Sequence, residues 1–157
     1  MDQITPHHSE EDAAMPQQSD EAEIRAVIHA WTQGIAAKNT AMVVAQLASE
    51  VVQFDLAPPL RVNDADLEGL ESWFATWRDA IGYEFSDLSV TAGADVAFCH
   101  GLIRLTGGRT DGLESDMWFR STLCLRKVEG VWKIAHLHQS VPMYMDGSLR
   151  AAVDLKP

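Results

Sequence analysis

The stretch that most constrains this chain runs from Tyr83 to Ser140. It divides into "YEFSDLSVTA", "DVAFCHGLIRLT", "LESDMWFRSTLCLRKV" and "GVWKIAHLHQS", each rich in β-branched and aromatic residues and separated by "GAD", "GGRTDG" and "EG" turns. Short turns between long runs of this kind predict an antiparallel meander. One face of such a sheet has to be covered, and the cover lies upstream. Ile24, Val27, Ile28, Trp31 and Ile35 fall on one helical face, and Asp20 with Glu23 three residues on reads as the cap that starts that helix. Asn39 and Thr40 interrupt it, a short helix is expected over 41–47, and "VVQFDL" alternates as a strand ending at Asp55 and closed by Pro58 and Pro59. Asp66 is expected to cap a third helix carrying Leu67, Leu70, Phe74, Trp77 and Ile81, with Trp73 beside them. The predicted class is α+β, with three N-terminal helices packed on a curved sheet in the order α-α-β-α-β-β-β-β.

Composition narrows the function. A chain of 157 residues that is 46% hydrophobic is long enough for one domain with a core and an internal pocket. That domain is expected over 19–145, after a disordered tail, "MDQITPHHSEEDAAMPQQ", over 1–18 and before a C-terminal extension over 146–157. A formal charge of −11 disfavours nucleic acid and anionic membrane surfaces as partners. Apolar runs are broken by charge and the N-terminus is acidic, so neither a membrane-spanning helix nor a signal peptide is expected, and a cytoplasmic location follows by default. Cys99 and Cys124 have no CxxC spacing, and His7 and His8 have no further ligand at suitable spacing, so no metal and no cofactor are expected.

His136 and His138 raise the sharper question. If Glu129-Gly130 is a two-residue hairpin turn, Leu137 lies opposite Thr122 and Gln139 opposite Arg120. One face then carries Trp132, Ile134, His136, His138 and Ser140 with Phe119, Ser121 and Leu123. The other carries Leu137 and Gln139 with Cys124, Thr122, Arg120 and Trp118. Periodicity alone leaves open which face is inside.

The element order, with "AWTQGIAAKN" early and "DGLESDMWFRSTLCLRKVEGVWKIAHLHQSVP" late, resembles the SnoaL-like and ketosteroid-isomerase-like branch of the nuclear transport factor 2-like superfamily, over about 20–142. "IRLT" at 103–106 and the Gly-x-Trp…His-x-His-x-Ser pattern over 130–140 also resemble the association domain of calmodulin-dependent protein kinase. The resemblance implies a cone-shaped fold with a pocket. It matches Asp55 to the general base of ketosteroid isomerases, at the spacing from Trp31 at which those enzymes carry a tyrosine. It aligns Leu137 with the acid–base aspartate of the polyketide cyclases, which would turn the Leu137 face inward and His136 and His138 outward, toward a second subunit.

On that assignment Asp55 and His100 are the catalytic candidates, and Trp31, Trp77, Arg104, Trp118, Arg120 and Gln139 the ligand-binding ones. Each has a plainer alternative: Asp55 a cap of the proline loop, His100 a satisfied core histidine, Arg104 a bridge to a neighbouring acid, the tryptophans simple core. His136 and His138 are expected at a homodimer interface with Trp132 and Ile134, in the pocket if a bulge shifts the register, or on a metal. The departures count too. Trp31 and, approximately, Thr122 replace the oxyanion donors of the isomerases, and Leu137 replaces the cyclase aspartate. The expected ligand is a small hydrophobic molecule with a carbonyl or carboxylate, and the expected reaction class, if there is one, is proton transfer beside a carbonyl. A non-catalytic sensor or assembly domain is the alternative.

Overall fold

A computed structural model describes residues 11–157, with side chains from residue 18 onward. The elements are α1 (Glu11–Ala36), α2 (Thr40–Val44), β1 (Leu47–Phe54), β2 (Val62–Asn63), α3 (Leu67–Phe74), β3 (Gly82–Ala92), β4 (Val96–Gly108), β5 (Glu114–Val128) and β6 (Val131–Ser140). The strands form one sheet in the order β2-β1-β6-β5-β4-β3. All neighbours are antiparallel except β1 and β6, which run parallel because the helices and the meander separate them in the chain. The expected tail falls mostly on residues 1–10, outside those described, while 11–18 already belong to α1. Among the described residues no helix is long and apolar enough to cross a membrane.

The apolar stripe of α1 does what its spacing predicts. Ile24, Ile28, Trp31 and Ile35 are buried against the sheet. Each such side chain contributes roughly 1.5–3 kcal/mol by leaving water. Gly34 lets α2 approach closely: a Cβ there would lie 2.9 Å from the Val43 side chain. Asp66 caps α3 as expected, Oδ1 accepting from the Gly69 N–H at 2.9 Å. That helix stops at Phe74, however, and Trp77 lies beyond it, bridged to Arg109.

Asp20 is not a cap. The helix passes through it, and its Oδ1 accepts from Lys127 Nζ at 2.6 Å and from the Trp132 indole N–H at 2.9 Å, tying α1 to the β5–β6 hairpin. The Lys127 ammonium first, then the indole, hold the Asp20 carboxyl below the usual carboxylate range. A depressed folded pKa gives stability that is present above the unfolded aspartate value, about 3.9, and is lost as pH falls through the folded one. Asp20→Asn is therefore expected to lower the urea midpoint at neutral pH, with the gap to wild type closing on acidification below that range. A gap that persists unchanged at acid pH would show that the charge is not what matters.

The hairpin turn at Glu129-Gly130 forms as read, with Val128 opposite Val131 and both turn residues at positive φ. The register beyond it differs. Ala135 is an extra residue between Ile134, opposite Leu125, and His136, opposite Cys124, so Leu137 lies opposite Leu123 and not Thr122. This bulge lets Trp132 and Ile134 point inward on one side of it and Leu137 and Gln139 point inward on the other. Their β5 neighbours on the inner face are Phe119, Ser121, Leu123 and Leu125, all buried.

Candidate functional site

Between α1, α2, α3 and the inner face of the sheet lies a cavity of about 270 Å³. Trp31 and Ile35 of α1, Val43 and Val44 of α2, and Leu70 and Trp73 of α3 form its helical side. Tyr83, Leu105, Phe119 and Leu137 form its sheet side. The exposed loop from Asp55 through Pro59 borders it, as do Asp66 and Gly69. Aromatic rings interlock along one wall: Trp31 meets Tyr83 edge-on at 5.6 Å between centroids, and Tyr83 leans on Phe119 at 5.9 Å.

Three polar side chains give this apolar space its chemistry. Asp55 ends β1 and is solvent-reachable through the opening. The walls still withdraw enough water to raise its carboxyl pKa above the ordinary aspartate value, and the nearby charge of Asp66 raises it further. Tyr83 is only 4% exposed. Burial foremost, and the charge of Asp55 in addition, push its phenol upward, so it stays protonated throughout the working range. Gln139 Nε2 donates to Tyr83 Oη at 2.6 Å, which occupies a lone pair on that oxygen and leaves its own O–H hydrogen to be donated elsewhere. The space therefore combines a carboxylate able to take a proton and a neutral hydroxyl able to give a hydrogen bond.

The profile of the SnoaL-like domain matches residues 24–144, more than half of the chain. The chain belongs to the SnoaL-like family. Its fold is shared with a nuclear transport factor 2-like protein of unknown function from Pseudomonas putida KT2440, at TM-score 0.80 and 29% identity over 89% of this chain and 98% of that one. A ketosteroid isomerase-like protein from Erwinia carotovora atroseptica SCRI1043 superposes at TM-score 0.66 and 24% identity, covering 76% and 93% of the two chains. A nuclear transport factor 2-like superfamily protein from Salmonella enterica serovar Typhimurium LT2 does so at 0.70 and 15%, covering 83% and 96%. The last two likenesses establish the shared cone-shaped fold. No curated protein matches the chain.

Within this SnoaL-like cone, three of the residues singled out from sequence, Asp55, Trp31 and Gln139, reach the cavity. The others do not. Phe98, His100, Leu102 and Arg104 lie on the outer face of β4, because Ala97, Cys99, Ile103 and Leu105 are the buried set. His100 is thus no relay to Asp55. Arg104 is held by Asp116 through two hydrogen bonds at 3.0 and 2.9 Å, the plain ion pair that was its alternative. Trp118 and Arg120 are on the outer face of β5, Arg104 lying 6.0 Å from the Trp118 ring and Arg120 donating to the Ser140 hydroxyl at 3.2 Å. Trp77 is buried core packed on Trp73, outside the cavity lining.

His136 and His138 point outward as expected, both edge-on to Phe54, with His136 Nδ1 2.7 Å from the Val52 carbonyl oxygen. Trp132 and Ile134 do not accompany them. They are 1% and 0% exposed inside a single chain, so no second subunit can reach them. Among the described residues, no three His, Cys, Asp or Glu side chains come together as a metal site would need. Tyr83 was missed by the sequence reading. Alternation along "GYEF" could have found it, since Tyr83 and Phe85 share the face of Ile103 and Leu105 across the β3–β4 ladder.

Proposed function

We propose that the cavity binds a small hydrophobic ketone and catalyses proton transfer at the carbon beside its carbonyl. The observation that carries this is one largely apolar cavity bordered by an exposed carboxyl of raised pKa, Asp55, and lined by a protonated, Gln139-anchored hydroxyl, Tyr83. Asp55 takes the α-proton. The C–H electrons become the carbon–carbon π bond of an enolate, and negative charge develops on the carbonyl oxygen. Tyr83 donates its O–H to that oxygen, and Asp55, now a carboxylic acid, returns the proton to the α-carbon or to a conjugated position. Gln139 fixes the phenol and, by donating to it, makes its hydrogen a better donor. The walls of Trp31, Trp73 and Phe119 bind the body of the ligand and keep competing water away from the enolate.

Tyr83→Phe removes the donor and leaves the ring. Deuterium exchange at the α-carbons of 2-indanone, followed by proton NMR, is expected to slow by roughly 10²–10³-fold in this variant, the usual effect of losing one oxyanion donor. Binding of the ketone should persist within a few-fold. Exchange at the wild-type rate would remove Tyr83 from the mechanism.

A second copy of the chain is proposed to cover the outer face. What supports this is an apolar series there: Phe98, half exposed, with the partly buried Leu102, Trp118 and Phe54. A two-fold arrangement is the most economical cover and would put His136 and His138 among its polar contacts. Wild type is expected to sediment as a dimer at neutral pH and Phe98→Glu as a monomer. A monomeric wild type would contradict the assembly without touching the cavity.

A further inference from the structure

The charged lining of the cavity is of one sign. Asp55 and Asp66 border it, and among the described residues no Lys, Arg or His lines it. The two arginines that could have held a carboxylate are on the opposite face of the sheet, one paired with Asp116 and the other bonded to Ser140. An anionic ligand would meet the partly desolvated carboxylate of Asp55 with the exposed carboxylate of Asp66 nearby, and would be repelled more strongly than in open water. A cation would meet the reverse. It would offset the desolvation, and with it the repulsion from Asp66, that raise Asp55, and it would have the aromatic side chains of Trp31, Trp73, Tyr83 and Phe119 in the lining around it. The formal charge of −11 on the whole chain favours the approach of cations over that of anions.

We propose that the cavity also takes lipophilic amines, bound as ammonium ions with the charge on Asp55 and the hydrocarbon body against the aromatic wall. This rests on the reading of the cavity as the ligand site and narrows its ligand class: neutral or cationic molecules enter, carboxylates do not. The carboxylate that takes a proton from a ketone is the one that holds the ammonium, so the two ligands compete. Asp66 contributes less, since its Oδ1 is engaged with the Gly69 N–H as the cap of α3.

Three probes share one body and differ only in charge: 2-aminoindane, 2-indanone and indane-2-carboxylate. Calorimetric titration at pH 7 is expected to give 2-aminoindane an affinity at least about tenfold above the carboxylate, and added 2-aminoindane should displace 2-indanone. In Asp55→Asn the preference for the amine should shrink by roughly tenfold while 2-indanone still binds. Asp66→Asn, which keeps a capping oxygen, should shrink it less. Carboxylate binding as tight as amine binding, or an amine preference untouched by Asp55→Asn, would overturn the proposal. Binding of 2-indanone without 2-aminoindane would overturn it and leave the proton-transfer reading standing. Amine binding with no catalysed exchange of 2-indanone would uphold it and end that reading. A cavity that takes none of the three would end both.

Discussion

Asp55→Asn should reduce α-proton exchange of 2-indanone to the uncatalysed rate, a loss of about 10²–10⁴-fold, the span usual for a positioned general base. The amide has nearly the shape of the carboxyl and cannot take the proton. Its effect on the fold runs the other way. Partial desolvation by the cavity walls, and then the neighbouring Asp66, raise the folded pKa of Asp55, so the native state holds its proton more tightly than the unfolded chain does. For such an acid, stability falls as pH rises from the unfolded value through the folded one, and at neutral pH the ionised group is a net cost. The variant should therefore be as stable as wild type at pH 7, or more so, while inactive, the pattern of a residue kept for function. In wild type the exchange rate should fall on acidification at a pH above the ordinary aspartate range. The titratable groups around Asp55 are Asp66 and Tyr83, which share its cavity, and His138, which borders the adjoining pocket; Tyr83 stays protonated throughout. Exchange that survives the substitution, or a variant that unfolds, would assign Asp55 to structure.

Trp132→Ala is expected to have the largest effect on stability. The indole is 1% exposed, its N–H is bonded to Asp20, and Lys127 Nζ lies 5.3 Å from the ring centroid. Removing a buried tryptophan costs about 3–5 kcal/mol, a large share of the 5–15 kcal/mol that holds a domain of this kind together. Loss of the bond to Asp20 also loosens the tie between α1 and the hairpin. Urea unfolding monitored by circular dichroism should show the midpoint falling sharply and independently of protein concentration. A loss below about 1 kcal/mol, or one that appears only on dilution, would return Trp132 to the interface that the sequence alone suggested and contradict its inward orientation.

These two residues also mark what the sequence could and could not tell. The stripe of Ile24, Ile28, Trp31 and Ile35, the cap at Asp66, the Glu129-Gly130 turn and Asp55 at the end of β1 are local signals. Each depends only on neighbours in the chain, and each was readable. The facing of β4 and β5 depends on register, where a single residue moves every side chain to the other side. Ala135 is that residue. With no bulge assumed, an inward Leu137 drags Thr122, Arg120 and Trp118 inward with it; with the bulge, Leu137 is matched to Leu123 and the inner set is Phe119, Ser121, Leu123 and Leu125. Charge could have arbitrated. His100 and Arg104 on one face of β4, against Ala97, Cys99, Ile103 and Leu105 on the other, is the pattern of a sheet with one face in water. The alignment of Leu137 with a catalytic aspartate was correct in its direction and misleading for its neighbours. Tyr83 and Gln139 meet only through folding, from strands 56 positions apart in the chain, so their hydrogen bond has no signature in the sequence.

The five tryptophans allow the most direct test that the ligand enters the inner cavity. Trp31 and Trp73 line it, Trp77 and Trp132 are buried elsewhere, and Trp118 is on the outer face beside Arg104. Each gives one resolved indole N–H signal in a ¹⁵N-labelled sample, assignable by single Trp→Phe substitutions. Titration with 2-indanone should move the Trp31 and Trp73 signals together, with one dissociation constant, and leave Trp118 in place. Movement of Trp118 with Trp31 and Trp73 unchanged would put the ligand on the outer face, with His100, Arg104 and Arg120, and contradict the account.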